Sequence, residues 1–284
     1  MNELTLSIEI ENALVARNLR GMQVAQAALQ PGYYLRAARS LQDRRGTILI
    51  GTGFPVADTF ETDGPVGAIA LYDALAVLGA EPVLACAAPL SNCLADRRRV
   101  LALKSRDAAQ AEIEAGEVLA RIQPQAVVSI ERPGLSEDGR YYNMRGEDIT
   151  GRSGFFDAYI TRADCPTIAI GDGGNEIGMG NIGEAIRTLD ITAAVTGCDE
   201  LLVADVSNWG AYGLIALLAL WDGRDLLADV APLDILRYLC AHGSVDGVTR
   251  ESTLTEDGLD ASEGQKIINQ LRYLTGFAGK VAGE

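Results

Sequence analysis

The sequence predicts an α/β fold, an open and mostly parallel sheet covered by helices on both faces and carrying one lid-like insertion. Three observations predict it. Five short runs, Thr47–Thr52 (TILIGT), Pro82–Ala87 (PVLACA), Ala126–Glu131 (AVVSIE), Thr167–Gly171 (TIAIG) and Leu201–Ser207 (LLVADVS), are almost continuously apolar, the pattern of strands buried on both faces. Stretches of helical period separate them, and strand, crossover helix, strand is the rhythm of a parallel sheet. Polar or glycine-rich residues follow these runs directly, where open parallel sheets bind their ligands.

Before the first run, apolar side chains at helical spacing (Val15, Leu19, Met22, Ala25, Leu29) break at Pro31-Gly32, and the pattern resumes from Tyr33 to Arg45. Two helices are therefore expected within residues 1–46. The sheet core is expected over 47–222, with helices at Val66–Leu78, Ala108–Ile122, Ile182–Leu189 and Tyr212–Leu220. Residues 134–154, rich in Gly, Arg and charge, are too long for an ordinary connection and read as a lid or a small subdomain. In 223–284, helices Pro232–Ala241 and Ala261–Leu274 flank a polar segment, Ser244–Asp260, and the whole region looks peripheral. No repeat, low-complexity tract or linker divides the chain, so residues 1–284 are expected to form a single α/β domain.

Composition excludes several mechanisms. The chain carries 39 Asp and Glu against 24 Lys and Arg, a net charge of -15 that repels nucleic-acid phosphates and anionic membranes and attracts cations. Histidine occurs once, as His242, so sites needing two or three imidazoles are excluded and a Ser-His-Asp triad would have to run through it. His242 lies between a helix and Gly243-Ser244 and reads as a cap meeting exposed carbonyls. The only lysines, Lys104, Lys266 and Lys280, stand away from motif centres and lend no support to a Schiff-base or phosphate-loop lysine. Cys86, Cys93, Cys165, Cys198 and Cys240 form no C-x-x-C pair, and such scattered thiols suit a reduced, cytoplasmic protein. The acidic N-terminus lacks a signal-peptide pattern. The longest apolar run, Ala211–Trp221, is about half of the ~20 residues a membrane span needs.

The densest signal follows the fourth run. Gly171–Gly183 (GDGGNEIGMGNIG) has six glycines in thirteen residues, far more than a structural turn requires, and Asp172, Asn175 and Glu176 supply only oxygen ligands. Gly178, Gly180 and Gly183 form G-x-G-x-x-G, with Asp205 at the next strand end. The stretch Asp172–Ile177 intervenes between strand and first glycine, unlike a dinucleotide fingerprint. After the first run, Gly51, Thr52 and Gly53 lead through Glu61 and Asp63 to Gly64-Pro65 and a helix. Carboxylates two residues apart in a loop can converge on one cation; equally, Asp63 can cap the helix while Glu61 is solvated. After the third run, Glu131 suits metal ligation or base work, and Arg132 a bidentate clamp on carboxylate or phosphate; the pair can also form a plain salt bridge. Asp205 and Asn208 fit turn and cap hydrogen bonding as well as a site.

G-T-G-F-P with E-T-D-G-P-V-G, S-I-E-R-P-G, Y-Y-N-M-R-G-E-D-I-T and G-D-G-G-N-E-I-G-M-G together resemble the C-terminal domain of the D-glutamate cyclase family, from roughly Thr47 to Gly276. The resemblance implies a Rossmann-like three-layer domain that cyclises D-glutamate to 5-oxo-D-proline with loss of water. The eukaryotic enzyme joins this domain to a second, N-terminal hydro-lyase-like domain, for which no counterpart is expected within residues 1–284. The residues fit that chemistry in their own right. A γ-carboxylate is a poor electrophile, and the α-amine must lose a proton before it attacks; a hard divalent ion polarises the carboxylate and a nearby carboxylate takes the proton. Glu61, Asp63, Asp172, Asn175 and Glu176 are the expected ligands of Mn²⁺ or Mg²⁺, Arg132 or Arg145 the holder of the α-carboxylate, and Glu131 the base. Gly51, Thr52, Gly53, Asn143, Gly173 and Gly174 are expected to touch substrate. The same residues suit a metal-dependent phosphatase, and a non-catalytic protein that binds metal or an acidic metabolite. The expected partner is a small acidic metabolite, not nucleic acid or membrane, with a homo-oligomer left open.

Overall fold

Six strands form the sheet, in the spatial order Val100–Ala102, Glu81–Cys86, Thr47–Thr52, Ala126–Ile130, Thr167–Gly171, Glu200–Val203. In this computed structural model, which describes residues 2–105 and 107–279, every neighbouring pair in that sheet is parallel. Numbered along the chain the order is 3-2-1-4-5-6, so the winding reverses between Thr47–Thr52 and Ala126–Ile130. A crevice opens at that reversal, outside the carboxyl ends of the strands. The register sets Ile50 between Leu84 and Val128, and Ile48, Leu49 and Ile50 are fully buried. Each such side chain contributes about 1.5–3 kcal/mol by leaving water.

Helices make the outer layers. Helix α4 (Pro65–Val77) packs on α9 (Ser207–Asp222), and α1 (Glu3–Leu14), α3 (Tyr33–Leu41) and α11 (Ala261–Leu274) pack on α9 in turn. Helix α9 is buried from Ser207 to Ala219 and is apolar on almost every side because it has the sheet on one side and helices on the others. On the other side of the sheet, α6 (Ala108–Ile122) pairs with the short α7 (Asp157–Thr161). Among the described residues no helix is long and apolar enough to cross a membrane.

Helices Ala108–Ile122, Pro232–Ala241 and Ala261–Leu274 form where periodicity placed them. Other expectations are corrected. The N-terminal region holds three helices, because the chain turns between α1 and Met22–Ala27: the Asp205 carboxylate accepts the amides of Arg17 (2.7 Å) and Leu19 (3.1 Å). The sheet has a sixth strand, Val100–Ala102, half-buried at the edge. The helix expected at Ile182–Leu189 is reduced to a 3-10 turn, Met179–Ile182, and one α-turn, Gly183–Ile186. The last strand stops at Val203, and α9 starts at Ser207 instead of Tyr212, since carboxylates beyond the sheet cap its first amides. Nor is Ser244–Asp260 peripheral: Val245 bridges to Glu61, Asp257 lines the crevice, and Glu256 accepts from Asn208 behind it.

The insertion is rooted. Tyr141, Ile149 and Phe155 pack with Phe54 and Ala111 in a small second core, and the Tyr141 hydroxyl donates to Asp157 at 2.5 Å. Its tip, closed by the Tyr142–Asp148 bridge, projects over the crevice, and Arg152 lines it from beyond that bridge. His242 ends the Pro232–Ala241 helix, with Nδ1 2.7 Å from the Tyr238 carbonyl, and the five cysteines are unpaired.

Candidate active site

The first-strand loop, the fourth-strand end and the glycine-rich loop meet at the reversal point. One carboxylate oxygen from each of Asp63, Glu131 and Asp172 lies within 4.8 Å of the others, and all three residues are buried. Helix α9 aims its N-terminus at them. The Ser207 amide donates to Asp63 (3.0 Å) and Asp172 (3.1 Å), the Asn208 amide to Asp63 (2.8 Å), and the Ser207 hydroxyl to Glu131 (2.6 Å). Positive helix-end charge thus faces a cluster of acids. Glu131 adopts φ 47, a strained value for a non-glycine residue, one position past the strand. Gly64 (φ 89) permits its approach: a Cβ there would sit 2.7 Å from the Glu131 Cβ and 3.1 Å from the Ile130 carbonyl.

Glu61 lines the cleft beside this trio, only 7% exposed, and its carboxylate has no hydrogen-bond or ion-pair partner among the described residues. Room for it exists because residue 247 is glycine, where a Cβ would come within 1.9 Å of Glu61 Oε2. Glu176 also lines the cleft, but its carboxylate accepts the amides of Gly174 (2.6 Å) and Asp172 (3.2 Å), which shapes the loop. Asn175 donates to the Tyr142 carbonyl at 2.8 Å, pinning the insertion to the same loop. Gly173 lines the cleft beside Asn175, while Gly174 (φ 113) supplies an amide to Glu176.

The expected arginines separate. Arg132 is buried and turned toward the backbone, donating to the carbonyls of Gly53 (2.6 Å), Thr52 (3.2 Å) and Gly154. It holds the first-strand loop Gly51–Gly53 to the insertion and lies outside the acidic cleft. Arg145 lies at the mouth with Asn143, its Nη2 donating to the Val248 carbonyl at 2.9 Å. Asn208 is a structural clasp, accepting the amides of Gly64 (2.9 Å) and Gly67 (2.7 Å) and donating to Glu256 at 2.6 Å.

Sequence reasoning missed Arg20 and Asp257. Arg20, in the turn after α1, pairs with both Asp172 and Asp257 at 2.6 Å. No local pattern signals it; the E-D-G turn at Glu256–Gly258 is the one available hint for Asp257. Four of the seven non-glycine residues with positive φ among the described residues, Ala57, Glu131, Arg250 and Asp257, line this cleft. Such strain concentrates where surroundings hold a site in shape.

Burial and mutual repulsion set the charges. Burial, then Asp257, pushes the Asp63 carboxyl up to about 7, against the hydrogen bonds it accepts. Burial, then Asp257 and Asp63, raises Glu61; burial, then Glu176 and Asp63, raises Glu131. Asp172 is also raised by burial, although Arg20 opposes it. Glu256, behind the cleft, goes up to about 8, first through burial and then through Asp63. Burial works against the charge of Arg20, but Asp172 and Asp257 outweigh it and keep the guanidinium charged. The cleft therefore holds protons that a cation would displace.

Fold and site define a doubly wound α/β protein with a buried oxygen-ligand cleft at its switch point. The chain belongs to the D-glutamate cyclase-like, C-terminal family, whose pattern matches residues 10–272. It is similar to human mitochondrial D-glutamate cyclase, 33% identical over 211 residues, 65% of this chain and 34% of that protein. The chain thus spans about a third of that relative's length. Among solved structures, an exopolyphosphatase-related protein from Bacteroides fragilis superposes with a TM-score of 0.46 at 7% identity, over 88% of this chain and 62% of that one.

Proposed function

We propose that this cleft cyclises D-glutamate to 5-oxo-D-proline with the help of Mn²⁺ or Mg²⁺. The observation that carries the reading is the convergence of three buried carboxylates with too little positive charge around them, in a chain of this family. Asp63, Glu131 and Asp172 would hold the ion. Their donor set fits it: all oxygens, hard, with no imidazole or thiolate, which favours Mn²⁺ or Mg²⁺ over zinc. When bound, the ion would polarise the γ-carboxylate and carry charge that builds on its oxygens.

The remaining work falls to the chain. The α-ammonium must lose a proton before its nitrogen attacks the γ-carboxyl carbon. Glu61 is buried and unpartnered, with burial and then Asp257 raising the proton affinity of its carboxyl, and is the group that would take it. Glu131, expected as the base, lies within the trio, with Ser207 fixing one of its oxygens. As the C–N bond forms, one γ C–O bond breaks. The departing oxygen leaves as water, with two protons that were on the ammonium, and the amide keeps the third. The insertion tip and Arg145 narrow the mouth and limit the entry of bulk water. The acidic substrate is a small metabolite, and five unpaired thiols suit the cytoplasm.

The test is D-glutamate with Mn²⁺, followed by mass for the loss of one water. Product that a chelator abolishes supports the reading. No product, together with metal-dependent hydrolysis of p-nitrophenyl phosphate, transfers the site to phosphatase chemistry.

A further inference from the structure

We infer that Arg20, contributed by the turn between the first two helices, is the residue that grips the α-carboxylate of the substrate. The inference rests on the cyclase reading for the identity of that substrate. Of the four arginines lining the cleft, Arg20, Arg145, Arg152 and Arg250, it alone is held deep within it: its side chain is 17% exposed, against 40% for Arg250. Arg145, Arg152 and Arg250 are exposed residues of the rim, and Arg250 already pairs with Glu147 at 2.7 Å.

The guanidinium of Arg20 is fixed along one side. Its Nε donates to the Asp172 carbonyl (3.0 Å), and Nη2 donates to the Asp205 carbonyl (2.9 Å) and pairs with the carboxylates of Asp172 and Asp257. Nη1 has no partner among the described residues, although the residue lines the cleft. A planar group locked through two nitrogens, with the third free, loses little freedom when a carboxylate arrives. A flexible rim arginine would have to be ordered first.

Its neighbours fit the substrate. The amine and carboxylate of D-glutamate share one carbon, so anchor and base must be adjacent. Asp257 joins them: Oδ2 meets Arg20, while a Cβ at Gly247 would lie 3.6 Å from Asp257 Oδ1 and 1.9 Å from Glu61 Oε2. The substrate's far end then points to the trio through Asp172, the other carboxylate that Arg20 holds.

The experiment compares D-glutamate with 4-aminobutyrate, which lacks only the α-carboxylate, in wild type, Arg20→Lys, Arg20→Gln and Arg145→Gln. A charge-assisted contact of this kind is worth roughly 10- to 100-fold. Wild type should prefer D-glutamate by at least that factor in kcat/KM. Arg20→Lys and Arg20→Gln should lose the preference by a fall in D-glutamate turnover alone, while Arg145→Gln keeps it. Undiminished Mn²⁺ binding by an Arg20 variant shows a folded cleft, and Arg20→Lys, which keeps the charge, covers the case in which Arg20→Gln does not fold. Preference retained in Arg20→Lys, or lost in Arg145→Gln, overturns the assignment. Calorimetry with glutarate separates the two failures: if wild type makes no product but binds glutarate, and Arg20→Lys does not bind it, the cyclase reading falls and the anchor stands. Equal glutarate binding by both removes the anchor.

Discussion

The floor of the cleft and its roof are built on opposite terms. The floor, Glu61, Asp63, Glu131 and Asp172, is buried, backed by the sheet and capped by α9. The roof, Asn143 to Glu147, is half-buried at Asn143 and exposed beyond it, and is held by polar contacts: Arg145 to the Val248 carbonyl, Glu147 to Arg250, and the Tyr142 carbonyl to Asn175. Carboxylates packed together in a dry floor raise its energy, so the surrounding fold must hold them there; the roof carries paired, exposed charges and no such cluster. Chemistry is therefore expected to depend steeply on the floor and weakly on the roof.

The largest expected effect comes from the floor. Asp172→Ala removes one of the three converging carboxylates and a partner of Arg20, and should abolish Mn²⁺ binding in calorimetry and lower kcat/KM by about 10³-fold, the worth of several kcal/mol of charge stabilisation. Unaltered metal binding would place the centre elsewhere. Next, Glu61→Gln removes the proposed proton acceptor without touching the trio. It should reduce kcat by roughly 10²- to 10⁴-fold with little change in KM, and Gly247→Ala should reproduce part of that loss by displacing the same carboxylate. A KM effect in Glu61→Gln would instead make that residue a binding group.

The third prediction concerns pH. Asp63 titrates near 7 in the folded, metal-free protein and about 4 when unfolded, so folding binds a proton there. Its favourable contribution is present below the unfolded value and is lost as pH rises through about 7. Mn²⁺ reverses this, because it requires the carboxylates deprotonated. The thermal shift produced by Mn²⁺ should accordingly grow between pH 6 and pH 8 in scanning fluorimetry; a shift independent of pH would show that the cluster is already ionised. The smallest effect lies in the roof. Glu147→Gln breaks an exposed ion pair worth about 0–1 kcal/mol and should leave Tm nearly unchanged and kcat/KM within about fivefold. In hydrogen exchange, residues 142–148 should exchange fast and the buried Tyr141 and Ile149 slowly. Uniform slow exchange would make the roof as rigid as the floor.

What was legible in the sequence follows the same division. Central strands announced themselves because both faces are buried, and the glycine-rich loop because close backbone packing leaves glycines behind. Glu131 and Asp172 stood out by their place just past those strands, and Asp63 by its spacing of two from Glu61 ahead of Gly64-Pro65. The edge strand Val100–Ala102 did not, since three half-buried residues carry no period. Arg20 was invisible, and Asp257 marked only by its E-D-G turn, for a different reason: their partners lie 152 positions away in one case, Asp172 to Arg20, and 237 in the other, Arg20 to Asp257. Arg132 misled, because a buried arginine that ties three backbone carbonyls together looks the same in sequence as one that grips a ligand.

The Arg20–Asp257 pair also has a meaning in time. Synthesis proceeds from the N-terminus, and all six strands of the sheet, the acidic trio and α9 are complete by residue 222. Asp257 emerges later still, so Arg20 waits while 237 further positions are made with one of its two carboxylate partners missing. A growing chain therefore contains the whole acidic trio well before it contains the second carboxylate that fixes the Arg20 guanidinium.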